Sequence, residues 1–272
     1  MSKDKKFKSG STTHNGKAPA PIAAEAPKTL PTAAAPAAST ALPMFYTDLA
    51  LLNSAVHGKL RCAPQDDFKF AAKANYIPLL VMEFGDAAAS YPIVFAGTST
   101  NPDPVVILGR NGGENQSVDG EGKWKANTYV PAYVRRYPFI LVNDPQQNSL
   151  SLAVDLTATN IGESVSGETF YVDGQPADLA KRALQFCVLY QQAALNSAAI
   201  CQAIGAAGIL IERSAEFTLP SGKSRLTGFM IVDEAAFNQL PDDKILALHK
   251  AGALPAIYAH LMSMKAWRNL LV

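Results

Sequence analysis

Between Gly174 and Asp178 the apolar residues change period, and that change restricts the fold more than any other feature of the chain. Upstream, short apolar runs alternate with turn chemistry, the pattern of β-strands. The runs are Ile77 to Phe84, Ile93 to Ala96, Val105 to Leu108, Phe139 to Val142 and Leu150 to Leu156. Asn-Pro-Asp-Pro at 101–104, Asn-Gly-Gly at 111–113 and Asn-Asp-Pro at 143–145 punctuate them. Leu49 to Arg61 reads as a short helix or an irregular segment, and 167–174 as a last strand ending in an Asp173-Gly174 turn. Downstream, Leu179, Ala183, Phe186, Cys187, Tyr190, Ala194 and Ala198 recur at helical spacing. Asp178 suits the first turn of that helix, and Gly205 and Gly208 suit its end. Residues 208–217 and 226–232 then predict a β-hairpin. Asp233 is placed to cap a short helix, Pro241 to open a second, and Pro255 to Trp267 to form the last. The fold class is α+β: a strand-rich N-terminal half, then a helix-rich C-terminal half containing a β-hairpin.

A second break lies near residue 42. Residues 1–42 hold 11 Ala, 5 Pro and a single aromatic residue, Phe7. So little large apolar surface cannot offset chain entropy, so 1–42 is expected to be a disordered, basic Ala/Pro-rich tail ahead of one α+β domain at 43–272. Its six lysines face only Asp4 and Glu25, a charge of +4; the whole chain carries +1, which leaves −3 on the rest. That balance argues against a nucleic-acid partner. No apolar run of 7–15 residues follows the basic start, as a secretory signal would need, and no window approaches the ~18 apolar residues of a membrane span. The expectation is a cytoplasmic protein, with the cell surface reached by a leaderless route as the alternative.

Motif by motif, little chemistry is specified. Cys62, Cys187 and Cys201 form no C-x-x-C and read as small core residues; with four histidines in all, no metal site or cofactor is expected. The glycine-rich 109–115 segment lacks the spacing of a phosphate loop and reads as a turn. Glu83, if the 77–84 run is a strand, shares a face with Leu79 and Val81 and needs a positive partner. Arg135 or Arg136 is the natural one. Those two arginines, entering a strand, would point to opposite faces, so that one could pair with an inner carboxylate or bind an anionic ligand. Asn53 and His57, four apart, would lie on one face of a helix, where the imidazole could act as a base. Arg135, Arg136, Glu83, His57 and Asn53 are the candidate ligand-binding set. No catalytic group can be assigned by spacing.

The ordered pattern resembles a known family. Its signature runs through Leu52-Asn53 with His57, Leu60-Arg61, Ile77-Pro78-Leu79, Glu83-Phe84 and Tyr91-Pro92-Ile93-Val94-Phe95. It continues through Leu108-Gly109, Asn115, Trp124, Tyr129-Val130-Pro131-Ala132 and Arg135-Arg136-Tyr137-Pro138-Phe139. It closes with Gly228-Phe229, Val232-Asp233-Glu234, Leu240, Gly252-Ala253-Leu254 and Tyr258-Ala259-His260-Leu261-Met262-Ser263. Over roughly 43–272 this is similar to the SapC family of bacterial proteins, linked by name to surface layers (S-layers). Some members are labelled as peptide-transporter permeases, which would require several spanning helices that this chain lacks. Others lie near flavin-dependent halogenase-like and cupin-like proteins, which implies an accessory role in modifying peptides or surface polymers.

Three readings follow. The first is a non-enzymatic structural or assembly protein that self-assembles or joins a protein partner. The second is a peptide- or anion-binding accessory module. The third is a virion-associated structural protein.

Overall fold

The structure is a computed structural model and describes residues 42–144, 149–219 and 222–271. Residues 1–41 of the expected tail therefore lie outside the described residues, as do parts of the 143–145 and 219–223 turns.

Three of the strand-like runs of the first half join the late hairpin in one antiparallel sheet. Its five strands run in the order Leu210–Leu219, Gly222–Val232, Ile93–Thr98, Asn101–Ile107 and Tyr76–Pro78. The strands alternate as a sheet buried on both faces requires. Ile93, Phe95 and Val106 face one core, with the helices; Val94, Val105 and Ile107 face another, with Phe217, Phe229 and Leu270. A 3-10 turn, Met264–Leu270, covers the second face and lays Trp267 against Phe217 and Phe229. A smaller three-stranded sheet is built from Leu49–Leu51, Ser149–Asp155 and Phe139–Asp144.

The long helix, Asp178–Ala207, spans the two sheets. Its first half puts Ala180, Ala183 and Cys187 into the core of the small sheet, and its second half puts Ile200, Cys201 and Ile204 into that of the large one. Gly208 ends it with φ 76°, a left-handed cap that glycine adopts without strain. Gly205 matters for packing instead. A Cβ there would sit 2.3 Å from the Ser99 carbonyl, so only glycine lets helix and strand turn approach this closely.

Several local expectations hold. Asp233 Oδ1 accepts from the N–H groups of Ala235 (3.0 Å) and Ala236 (3.2 Å) and caps Glu234–Asn238. Helices follow at Asp242–Lys250 and Leu254–Ser263. Asp173 and Gly174 turn at φ 50° and 74° between two short strands.

Two expectations need correction. The 77–84 run is a strand only at Tyr76–Pro78; it then curls into a 3-10 turn, Val81–Glu83, and a short helix, Phe84–Ala87. A fully apolar run looks the same in a buried strand and in a buried turn, so periodicity could not separate them. Arg135 and Arg136 close a five-residue helix, Ala132–Arg136, instead of entering a strand. Their side chains do diverge, but because successive helical residues point about 100° apart.

Candidate functional site

Glu83 sits where the 77–84 run turns. Only 4% exposed, its carboxylate is surrounded by donors. Oε2 accepts the Leu80 N–H at 3.0 Å, which closes the turn it sits in. Oε1 accepts the Ala132 N–H at 2.6 Å and the Tyr129 hydroxyl at 2.8 Å. The Ala132 N–H is one that the first turn of a helix leaves without an internal partner, so a carboxylate there meets both a hydrogen-bonding need and the helix dipole.

Arg135 completes the cluster. Its Nη2 lies 3.8 Å from Glu83 Oε1 and donates to the Tyr129 hydroxyl at 3.1 Å, while Nε donates to the Val130 carbonyl at 3.0 Å. Burial, reinforced by the Glu83 carboxylate, pushes the Tyr129 phenol up to about 12. The hydroxyl therefore keeps its proton and relays from Arg135 to Glu83.

Arg136 leaves this cluster. Its guanidinium, in a residue 7% exposed, lies over the rings of Tyr190 (4.4 Å), Tyr133 (4.7 Å) and Tyr46 (5.6 Å). Tyr133 belongs to the core of the large sheet and Tyr46 to that of the small one, so the cation bridges the two. No carboxylate among the described residues pairs with it, and its Nε makes no hydrogen bond. Cation–π attraction, strong where water is absent, supports the charge instead.

Asn53 and His57 form a third, separate unit. Asn53 Oδ1 caps the helix Ser54–His57 by accepting the Ala55 N–H at 2.8 Å, and the Asn53 N–H donates to His57 Nδ1 at 3.1 Å. Partial burial lowers the imidazole pKa. The five sequence candidates thus resolve into a pair, Glu83 with Arg135, a guanidinium among tyrosines, and a helix cap.

The cysteines lie in apolar surroundings. Burial lifts the thiols of Cys187 and Cys201 to about 12 and that of Cys62 to about 11, so all three stay protonated near neutral pH and are poor nucleophiles. Among the described residues no group of three or more His, Cys, Asp or Glu side chains could hold a metal ion, and no helix is long and apolar enough to cross a membrane.

One feature escaped the sequence reading: a cleft of about 730 Å³ beside the small sheet. Phe70 stacks on Tyr137 at 4.1 Å, Phe45 meets Phe70 edge-on at 5.2 Å, and Tyr46 leans on Tyr137. Lys69, Lys73 and Asp67 line it together with Thr47, Thr157 and Thr159. Its signal in the sequence was the Phe68-Lys69-Phe70 run with Lys73 close behind, but Tyr137 and Thr157 reach the same place only through the tertiary fold.

No curated protein and no solved structure gives a significant match to this chain. The profile of the SapC family does, over residues 52–270, which takes in the Glu83–Arg135 cluster, the tyrosine-bound Arg136 and the Asn53–His57 cap. The chain belongs to the SapC family.

Proposed function

We propose that this protein works by holding and joining other molecules, as a non-enzymatic structural or assembly component of the kind the surface-layer link of its family implies. The supporting observation is how the buried Glu83 is used. Its oxygens accept three hydrogen bonds from Leu80, Tyr129 and Ala132 and face Arg135, which leaves the carboxylate committed to the scaffold. Exposed apolar side chains such as Val56, Met82 and Met262 supply surface that association would cover. Native mass spectrometry and sedimentation of protein from its own host, at near-physiological salt, test this. A defined homo-oligomer or protein complex without added small mass is the expected result. A monomer at every concentration carrying a stoichiometric small molecule overturns it.

The second reading, a peptide- or anion-binding accessory module, is favoured by the aromatic cleft with its two lysines. Within the sequence-derived set, Arg135, 46% exposed at its side chain, is the charged member that a ligand could reach, since Glu83 and Arg136 are buried. Arg136, Glu83, His57 and Asn53 then serve as supports.

A further inference from the structure

We propose that the cleft between Phe45, Phe70 and Tyr137 binds a ligand that carries a carboxylate beside an aromatic ring. This rests on the accessory-module reading and gives it a place and a ligand class. The size comes first: about 730 Å³ lies within the range of small-molecule sites, which are mostly apolar with a few placed polar groups. The shape comes next. Phe45 and Phe70, both partly exposed, meet edge-on at 5.2 Å and offer apolar ring surface that suits a planar ring, while the buried Tyr137 backs Phe70 by stacking on it at 4.1 Å. Phe45 is held at φ 81°, a left-handed conformation that a bulky residue adopts only under constraint, and such strain concentrates at binding and catalytic sites.

Charge selects the rest of the ligand. Lys69 and Lys73 line the cleft, and among the described residues neither ammonium is within ion-pair distance of a carboxylate. Two acidic groups stand near them. Asp67 lines the cleft and uses Oδ1 to accept the Lys69 backbone N–H at 2.9 Å. Asp155 lies buried behind Thr47 and Thr157, its oxygens taken by the N–H groups of Thr47 (2.8 Å) and Thr157 (2.9 Å) and by the Thr157 hydroxyl (2.7 Å). Arg136, over the Tyr46 ring, adds a positive charge that makes no ion pair with a carboxylate among the described residues. The balance of the lining, two lysines against Asp67, is positive. An aromatic ring against Phe45 and Phe70 with its carboxylate toward Lys69 and Lys73 satisfies both features. A free aromatic acid and the C-terminal aromatic residue of a peptide share this chemistry.

Calorimetry with the full chain tests it, using N-acetyltryptophan as the acid, N-acetyltryptophanamide as its neutral form and tryptamine as the cation. The acid is expected to bind about five- to tenfold more tightly than the amide, and tryptamine weakest. In K69Q/K73Q, at surface positions that leave the fold intact by thermal melting, the acid should fall to the affinity of the amide while the amide is unchanged. Gly-Gly-Gly-Trp with a free C-terminus separates the sources: affinity matching or exceeding the acid identifies a peptide, and a loss identifies a small free acid. Equal binding of the three probes, no binding by any, or an acid preference that persists in K69Q/K73Q overturns the proposal. Native mass spectrometry distinguishes the two levels. A stoichiometric small mass retained by K69Q/K73Q would keep the accessory-module reading and remove the cleft from it.

Discussion

Two buried ionisable side chains, Glu83 and His260, fasten two different junctions around the core of the large sheet by different electrostatic means. Glu83 holds a turn and a short helix together as an acceptor, with three donors and the Arg135 guanidinium around it. His260, fully buried, works as a neutral group. The hairpin strand Gly222–Val232 meets Ile93–Thr98 at a single register pair, Met230 with Phe95. Two residues further on, where Val232 would face Ile93, the imidazole stands between the strands. Its Nε2 accepts the Val232 N–H at 3.0 Å, and its Nδ1 lies 2.8 Å from the Ile93 carbonyl. The carbonyl can only accept, so the proton is on Nδ1 and the ring is neutral. Ser263 completes the arrangement by accepting the Ile93 N–H at 3.0 Å. The difference teaches that a buried group can replace backbone pairing either with a charge and enough donors, or without charge if it offers one donor and one acceptor.

The largest effect is expected where the charged device is cut. Glu83→Ala orphans the Leu80 and Ala132 N–H groups and the Tyr129 hydroxyl, and should destabilise the fold by about 3–5 kcal/mol, the usual cost of breaking a buried charged network. Glu83→Gln, which keeps an acceptor, should lose roughly half of that. Urea unfolding of both variants is the measurement; equal losses would show that a neutral acceptor contributes nothing there, and no loss in Glu83→Gln would show that the charge itself contributes nothing.

The neutral device should be broken by acid. Burial holds the His260 imidazole down at about 4, against 6.5 in the unfolded chain, although the Ile93 carbonyl partly opposes that shift. The native state then binds fewer protons than the unfolded state between those values. Its contribution is complete above about pH 6.5, falls as pH drops toward 4, and is constant below that. The loss should approach about 3 kcal/mol. Carboxylates add their own dependence, so the quantity to measure is the difference in pH slope between the wild type and His260→Gln in urea unfolding from pH 4 to 7. Identical slopes would mean that His260 is not held neutral by the fold.

How far either device could be read from the sequence depends on the range over which it acts. Asp233 and Gly208 act on neighbours within a few residues, so the caps they form are legible in a single string. The Glu83–Arg135 pairing is partly legible, because a carboxylate in an apolar run demands a cation. Its geometry is not, since that run curls where alternation suggests a strand. His260 is illegible: its partners lie 28 and 167 residues away, and nothing local tells a histidine between strands from one on a helix surface. The cleft fails for the same reason, with Phe45, Phe70, Tyr137 and Thr157 assembled from four separate segments.

Arg136 sharpens the comparison from a third direction, as a buried charge balanced by rings. Arg136→Leu keeps volume and gives up attraction to three tyrosines, so a loss of about 2 kcal/mol is expected, smaller than for Glu83→Ala because no carboxylate is left unpaired. The rings should respond as well. The Tyr46 and Tyr190 phenols are raised by burial and lowered by the Arg136 charge, so removing the charge should lift both further. Urea unfolding of the variant is the measurement, and an unchanged stability would mean that the rings contribute nothing to holding the guanidinium.

The smallest effect is expected at Arg135, although it shares a cluster with Glu83. Its side chain is 46% exposed, its distance to Glu83 Oε1 is 3.8 Å, and the three hydrogen bonds from Leu80, Tyr129 and Ala132 remain when it is gone. Water screens an exposed partner, so Arg135→Gln should cost about 1 kcal/mol or less. It should also weaken the salt dependence of stability, because the exposed half of the pair is the half that salt can screen. Urea unfolding at low and high salt checks both points. A loss as large as that of Glu83→Ala would mean that the pair acts as a unit, with the arginine as necessary to the buried carboxylate as the three donors around it.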